Sequence, residues 1–188
     1  QVGIGAIPNA IAGILAGQLE GGFGLHTEMI SDGVMQLHQA GKITNRKPLY
    51  DGVTVATFAL GSRALYDWLD GNPEVRILPV TAVNSAAVLA RLPHLTSING
   101  ALAIDLAGQA AADAIGGRQY SGTGGHESFV SGAGEAPEGR SLLCLRSTAM
   151  VAGAAVSTIT AAFAPGTCVT TPRHHVQWVV TEYGAVDL

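Results

Sequence analysis

Basic residues are scarce in this chain. Ten Lys and Arg stand against fourteen Asp and Glu, which gives a formal net charge of -4, and no basic run occurs. This balance argues against nucleic acid or an anionic membrane as the main partner. Charged residues make up only 13% of the sequence and hydrophobic residues 47%. Such a chain can bury a core and is not disordered, so we expect one globular domain across its 188 residues.

Cysteine is also rare, and neither cysteine suggests a metal site. Cys144 and Cys168 lie in separate apolar segments without the spacing of metal ligands. The adjacent pair His174 and His175 is predicted to lie in a strand, where neighbouring side chains point to opposite faces and cannot easily share a metal ion. With no secretory signal visible, we expect buried free thiols, no metal and a cytoplasmic protein.

One long stretch lacks charge altogether. Residues 147–172 contain no Asp, Glu, Lys or Arg, as a membrane span would require. The stretch consists mostly of Ala, Gly, Ser and Thr and is interrupted by Pro165 and Gly166. Buried strands joined by a turn are therefore expected. The chain starts at Gln1, and we expect it to be part of a longer protein.

The order of the elements predicts the fold class. Apolar residues at helical spacing follow a glycine turn near the start, and a second helix is predicted from Ser31 or Asp32 to Gly41. Strands and helices alternate in the first half, which indicates an α/β domain with a largely parallel sheet. In the second half, Asn99-Gly100 suits a type I′ hairpin turn and "TCVTT" reads as a strand.

Two glycine-rich turns are candidate binding loops. "GIGAIPN" starts like a dinucleotide fingerprint, but Pro8 and Asn9 replace its later positions, so a packing turn is expected. "YSGTGGHESFV", residues 120–130, has three glycines in four positions before a helix-like segment. Its backbone N–H groups suit an anion or an oxyanion, while glycines that merely tolerate positive φ explain it equally well.

The sequence contains no obvious nucleophile. There is no G-x-S-x-G elbow, and nothing local supports either cysteine. Glu28, in "GLHTEMISDGV", has two interpretations. It either supports the start of the following helix electrostatically or attacks an activated carbonyl as a nucleophile. The residues alone favour the first interpretation.

A family resemblance shifts that balance. The segments that carry it are "VGIGAIPNAI", "GLHTEMISDGV", "GKITNRK", "ATFALGSRALYDWLDGNPEV", "SINGALAIDLAGQ", "RQYSGTGGHESFVSGAG" and "CVTTPRHHVQWVVTEYGAVDL". These segments stand in the order and spacing of the acetyl-CoA hydrolase/transferase family. The chain resembles the carboxy-terminal half of such proteins over essentially all of its 188 residues. The resemblance implies an α/β fold of the CoA-transferase type, an open, largely parallel sheet with flanking helices. Residues 1–188 would be the catalytic second domain, and an amino-terminal domain would lie outside this chain.

The resemblance also implies residue roles. Glu28 matches the family's nucleophile, which forms a glutamyl-CoA thioester in a ping-pong transfer of CoA from an acyl-CoA to a carboxylate. Asn84 and Gly125 match positions that stabilise an oxyanion. The loop formed by Gly122, Thr123, Gly124 and Gly125 would approach coenzyme A. Small acyl-CoA and carboxylate substrates, an amino-terminal domain and self-association are implied, without metal or ATP.

Departures from the family pattern leave the substrates open. His126 replaces a common glutamine, Ser131 stands where an arginine is usual, and Arg146 stands where a proline is usual. Two alternatives to the transferase remain. One is an acyl-CoA hydrolase that uses the same glutamate, and the other is a non-catalytic CoA-binding or assembly domain.

Overall fold

The structure, a computed structural model, describes all of residues 1–188. The helices are α1 Ala6–Ala16, α2 Asp32–Gln39, α3 Arg63–Leu69, α4 Val80–Val83, α5 Ala86–Leu89 and α6 His126–Glu135. The strands are β1 Met29–Ile30, β2 Thr54–Ala56, β3 Phe58–Ala59, β4 Val75–Ile77, β5 Thr96–Gly100, β6 Ala103–Asp105, β7 Ala110–Ala111, β8 Ala114–Ile115, β9 Arg118–Gln119, β10 Arg140–Cys144, β11 Thr148–Val151, β12 Ala154–Ser157, β13 Ile159–Thr160, β14 Trp178–Thr181 and β15 Gly184–Asp187.

The α/β prediction is confirmed, and the strands are divided among several small sheets. The largest sheet has the order β15-β14-β10-β5, in which β5, β10 and β14 run parallel and β15 is antiparallel. Parallel pairs β1–β3 and β2–β4 form two further sheets. The strands are only two to five residues long.

Local signals mark the helix boundaries, and the bounds predicted for the second helix are confirmed. Helix α2 begins at Asp32 and is followed by Gly41, whose φ of 68° lies in the left-handed region that glycine adopts without strain. Ser62 caps α3, because its hydroxyl oxygen accepts a bond from the backbone N–H of Leu65 at 3.4 Å.

Two predictions in the second half are wrong. Asn99 and Gly100 do not form a hairpin turn, since both lie within β5, where they pair with Leu143 and Cys144 of β10. Parallel pairing in the main sheet thus overrides the local turn preference. The segment 167–171 is not a strand; Thr171 makes only an isolated bridge to Ala110.

The uncharged stretch is more exposed than predicted. Strands β11 and β12 form an antiparallel hairpin in which every residue is exposed, rather than a buried pair. Cys144 is a buried free thiol as expected, whereas the free thiol of Cys168 is exposed. None of the helices has the length and apolar character needed to cross a membrane.

One apolar cluster brings the site together. Phe129 and Ala133 of α6 pack with Val55 of β2, Val83 of α4 and Leu89 of α5. Each of these five residues is fully buried. Burial of this cluster holds the start of α6 and the end of α4 beside the segment that precedes β1.

Candidate active site

Glu28 lies in a short connection with a fixed backbone. His26 forms a parallel bridge with Val55, and β1 starts directly after Glu28. The Glu28 carbonyl oxygen accepts bonds from the backbone N–H and the hydroxyl of Thr57, both at 2.8 Å. Strand β1 lies between Glu28 and α2, and the carboxylate makes its hydrogen bonds to Asn84 and Gly125 rather than to the start of that helix.

The Glu28 carboxylate is held by two donors from distant parts of the chain. Asn84 donates from Nδ2 to Oε1 at 3.2 Å, and the backbone N–H of Gly125 donates to Oε2 at 2.9 Å. Asn84 is the residue that caps the carboxy-terminal end of α4, and Gly125 caps the amino-terminal end of α6. The structure therefore brings Asn84 and Gly125, two of the predicted catalytic residues, to the carboxylate of the third, Glu28.

Glycine is needed at positions 124 and 125 for different reasons. Gly124 has a φ of 53°, in the left-handed region. Gly125 has an ordinary φ of -89°, but a Cβ there would lie 2.7 Å from Oε2 of Glu28. The positive-φ interpretation of the glycine loop therefore applies to Gly124. The interpretation as a backbone N–H donor to a negative oxygen applies to Gly125. The N–H of Gly125 also lies at the positive end of α6, which favours a negative charge.

The loop and the carboxylate face the same cavity. Its volume is about 340 Å³, and it is lined by Glu28 together with the four predicted CoA-loop residues Gly122, Thr123, Gly124 and Gly125. The first residues of the chain and Asn99 of β5 form another part of the wall. The cavity is large enough to hold a small ligand beside the half-buried carboxylate.

Asp113 also lines the cavity, and sequence reasoning missed it. Its carboxylate accepts bonds from Gln119 Nε2 at 2.7 Å and from the hydroxyl of Thr170. Its backbone carbonyl accepts from the N–H groups of Tyr120 at 2.7 Å and Ser121 at 3.2 Å. The bond from Thr170 holds the pKa of Asp113 below its ordinary value, against the effect of burial. A lone acid in the Ala-rich segment 110–115 was the available signal.

The three departures from the family pattern occupy different environments. His126 lines the cavity, and burial lowers its pKa. Ser131 donates instead to the backbone carbonyl of Glu127 one turn earlier in α6, at 2.8 Å. Arg146 is exposed. Only His126 is therefore in a position to touch a ligand in the cavity.

The histidine pair lies in a turn rather than in a strand. His175 Nδ1 lies 2.5 Å from Oε1 of Glu127, and the two imidazole rings of the pair have centroids 4.2 Å apart. No group of three or more His, Cys, Asp or Glu side chains in the chain is arranged to hold a metal ion.

Comparison with known proteins gives consistent results. Residues 61–188 match the family described as acetyl-CoA hydrolase/transferase C-terminal domain, a range that contains Asn84 and Gly125 but not Glu28. The chain is 42% identical to the 4-hydroxybutyrate coenzyme A transferase of Clostridium kluyveri. The alignment covers 100% of this chain and 43% of that protein. It spans less than half the length of the curated relatives that it matches.

Solved structures extend this similarity to the fold. RipA from Yersinia pestis superposes with a TM-score of 0.91 at 39% identity, covering 100% of this chain and 42% of that one. The 4-hydroxybutyrate CoA-transferase from Porphyromonas gingivalis superposes with a TM-score of 0.80 at 33% identity, covering 98% of this chain and 42% of that one.

Proposed function

The chain belongs to the acetyl-CoA hydrolase/transferase family, and from this premise we propose that it is the carboxy-terminal catalytic domain of an acyl-CoA:carboxylate CoA-transferase. Small acyl-CoA thioesters and small carboxylates are the proposed substrates. The observation that carries the proposal is the Glu28 carboxylate, held between Asn84 Nδ2 and the Gly125 N–H in an open cavity.

In the first step, a carboxylate oxygen of Glu28 attacks the carbonyl carbon of the acyl-CoA. The C–S bond breaks with its electron pair on sulfur, which leaves a mixed anhydride between Glu28 and the acyl group and a free CoA thiolate. No proton changes hands. The fixed backbone around Glu28 supports this role, because a nucleophile reacts fastest when it is held in an attacking geometry.

In the second step, the thiolate attacks the side-chain carboxyl carbon of Glu28 in the anhydride. The C–O bond to the first acyl group breaks, that group leaves as a carboxylate, and Glu28 carries CoA as a thioester. Negative charge develops on a Glu28 oxygen, and Asn84 and Gly125 already direct donors at those oxygens. One such donor contributes about 3 kcal/mol to stabilisation of the transition state.

An acceptor carboxylate then takes the CoA from Glu28 by the same two steps in reverse order. It attacks the glutamyl thioester, forms a second anhydride and releases the thiolate. The thiolate then attacks the acceptor's carbonyl carbon, which yields the new acyl-CoA and free Glu28. The loop Gly122, Thr123, Gly124 and Gly125 is proposed to lie against coenzyme A, since it forms the wall of the cavity beside Glu28.

The relatives are more than twice as long as this chain. We therefore propose that an amino-terminal domain completes the substrate site and that the domain alone turns over little substrate. A matched pair of measurements tests this: CoA exchange by the full-length protein and by residues 1–188. Full activity of residues 1–188 alone would contradict the proposal.

A trapping experiment tests the nucleophile. The full-length protein is incubated with acetyl-CoA and then reduced with borohydride, which converts a glutamyl thioester into an alcohol that mass spectrometry locates. We expect the modification at Glu28 in the wild type and none in Glu28→Gln, whose side chain has the same size. Modification of a cysteine or serine instead would overturn the mechanism.

The acceptor is tested separately. CoA exchange from acetyl-CoA to a second carboxylate is compared with the release of free thiol when no acceptor is present. A transferase gives rapid exchange and slow thiol release. Thiol release that is equally fast without an acceptor would identify the hydrolase. Absence of trapping, CoA exchange and thiol release alike would favour a non-catalytic CoA-binding domain.

A further inference from the structure

We propose that His26 is a positioning residue that aligns the Asn84 amide with the Glu28 carboxylate. The inference rests on the proposed function, in which Asn84 assists Glu28. It assigns a role to a residue that contacts neither the cavity beside Glu28 nor the carboxylate itself.

The imidazole of His26 links the two segments that carry these groups. His26 stands two residues before Glu28 and is 2% exposed. Its Nε2 lies 2.7 Å from the carbonyl oxygen of Val83, which is fully buried. Because a carbonyl oxygen only accepts, Nε2 carries the hydrogen, and the tautomer of the neutral ring is fixed.

Val83 is the last residue of α4 and directly precedes Asn84. Helix α4 has only four residues, and a helix this short is not stable by itself. Its orientation therefore depends on contacts with the rest of the fold. The bond from His26 fixes the carbonyl of the peptide unit that leads into Asn84, whose Nδ2 donates to Glu28 Oε1.

Packing alone does not account for a histidine here. Phe129 and Tyr50 surround the ring, with centroids 6.4 Å and 6.1 Å away, so an apolar side chain would fill the space. The Nδ1 atom is buried and has no hydrogen-bond partner. A buried polar atom without a partner is unfavourable. The bond from Nε2 to Val83 is the feature that offsets this cost.

Two variants of similar length separate the hydrogen bond from packing. In the full-length protein, His26→Gln keeps an N–H donor at the ε position, while His26→Met has a similar length and no donor. We expect His26→Met to lower kcat by about 10- to 100-fold, the size of effect that a misplacement near 1 Å produces, with little change in KM. His26→Gln should recover most of that loss.

Two further readouts test the route through Asn84. In crystal structures, the distance from Asn84 Nδ2 to Glu28 Oε1 should exceed 3.5 Å, beyond hydrogen-bond range, in His26→Met but not in His26→Gln. In an Asn84→Ala background, His26→Met should lower kcat by no more than about 2-fold, because coupled residues are not additive. Should His26→Met fail to fold, His26→Asn replaces it, since its shorter amide does not reach Val83.

The outcomes are distinguishable. Equal kcat values for the Gln and Met variants, with Asn84 unmoved in both, would overturn the positioning role. The positioning role would also be overturned if His26→Met lowered kcat by the same factor in the Asn84→Ala background as in the wild type. If Asn84 shifts in His26→Met while Glu28→Gln retains full activity, the positioning role stands and the proposed function fails.

Discussion

The backbone N–H of Gly125 lies 2.9 Å from Oε2 of Glu28, although 97 residues separate them in the sequence. The contact depends on glycine, because a Cβ at position 125 would overlap the Glu28 carboxylate. The residue that caps the amino-terminal end of α6 is thereby tied to the connection that precedes β1, and the geometry of the proposed reaction depends on how α6 is held.

Gly125→Ala should therefore be nearly inactive while still folded. The added methyl group pushes the Glu28 carboxylate away from its donor, and loss of one such donor lowers kcat by about 100- to 1000-fold. CoA exchange and a thermal melt of the full-length protein measure the two effects. Gly134→Ala is the matched control on the same helix, since its Cβ meets only Gln177 Nε2 at 3.5 Å. A Gly125→Ala enzyme with normal kcat would show that the N–H contact is not needed.

Asp113→Asn should loosen the glycine loop. The Asn amide places a donor where Asp113 now accepts from both Gln119 and Thr170. Loss of such an anchor should raise KM for acyl-CoA and lower kcat, each by about 10-fold, since a displacement near 1 Å costs up to about 100-fold. Hydrogen exchange should accelerate at residues 119–125. Asp187→Asn, at the exposed end of β15, is the control. Unchanged exchange in the loop would refute the anchoring role.

Gly132→Ala should destabilise the fold. A Cβ at this position would lie 2.6 Å from Cδ1 and 2.7 Å from Cβ of the fully buried Leu89. Overpacking of this kind costs about 1–3 kcal/mol, partly offset by the gain of about 1 kcal/mol for replacing a helical glycine with alanine. Gly134→Ala should gain the same stability from its higher helix propensity, and its Cβ meets no atom closer than 3.5 Å. Urea unfolding of both variants should therefore give changes of opposite sign.

Acid should destabilise the protein in part through His26. Burial lowers the pKa of His26 from 6.5 to about 4, so between these values the unfolded state binds more protons than the folded state. The stabilisation is present above pH 6.5 and is lost as the pH falls towards 4. The full effect on the free energy of unfolding is about 3 kcal/mol, because each unit of pKa difference corresponds to about 1.36 kcal/mol.

Burial also lowers the pKa of His38 and His126, which contribute with the same sign. Comparison of wild type with His26→Gln isolates His26. Chemical unfolding of both proteins between pH 4 and pH 7 should show a shallower loss of stability in the variant. Parallel curves would mean that the His26 pKa is not depressed in the folded protein.

The sequence was most informative where signals are local. The glycine at position 41 marks the end of a predicted helix, and the structure reproduces that end. The glycines of "GTGG" suited an anion-binding loop and a turn with positive φ equally well, and the structure places this loop at the cavity that contains Glu28. The family resemblance singled out Glu28, Asn84 and Gly125, which composition and spacing left undecided.

What the sequence did not reveal depends on long-range packing. The contact of Asn84 with Glu28 requires α4 to be oriented by a core that includes residues from 55 to 136. Asp113 and His26 act through Thr170 and Val83, each 57 residues away, so no local motif identifies them. Asn99-Gly100 shows the converse, since a strong local turn signal is absorbed into a parallel strand.

The close approach of Gly132 to Leu89 also has an evolutionary consequence. Helix α6 carries the site at one end and this contact near the other, so a change at either position moves both packing and the active centre. We therefore expect the two positions to vary together among relatives, a larger side chain in place of Gly132 accompanying a smaller one in place of Leu89. Substitutions that lineages accept singly elsewhere in the core would here be accepted only as pairs.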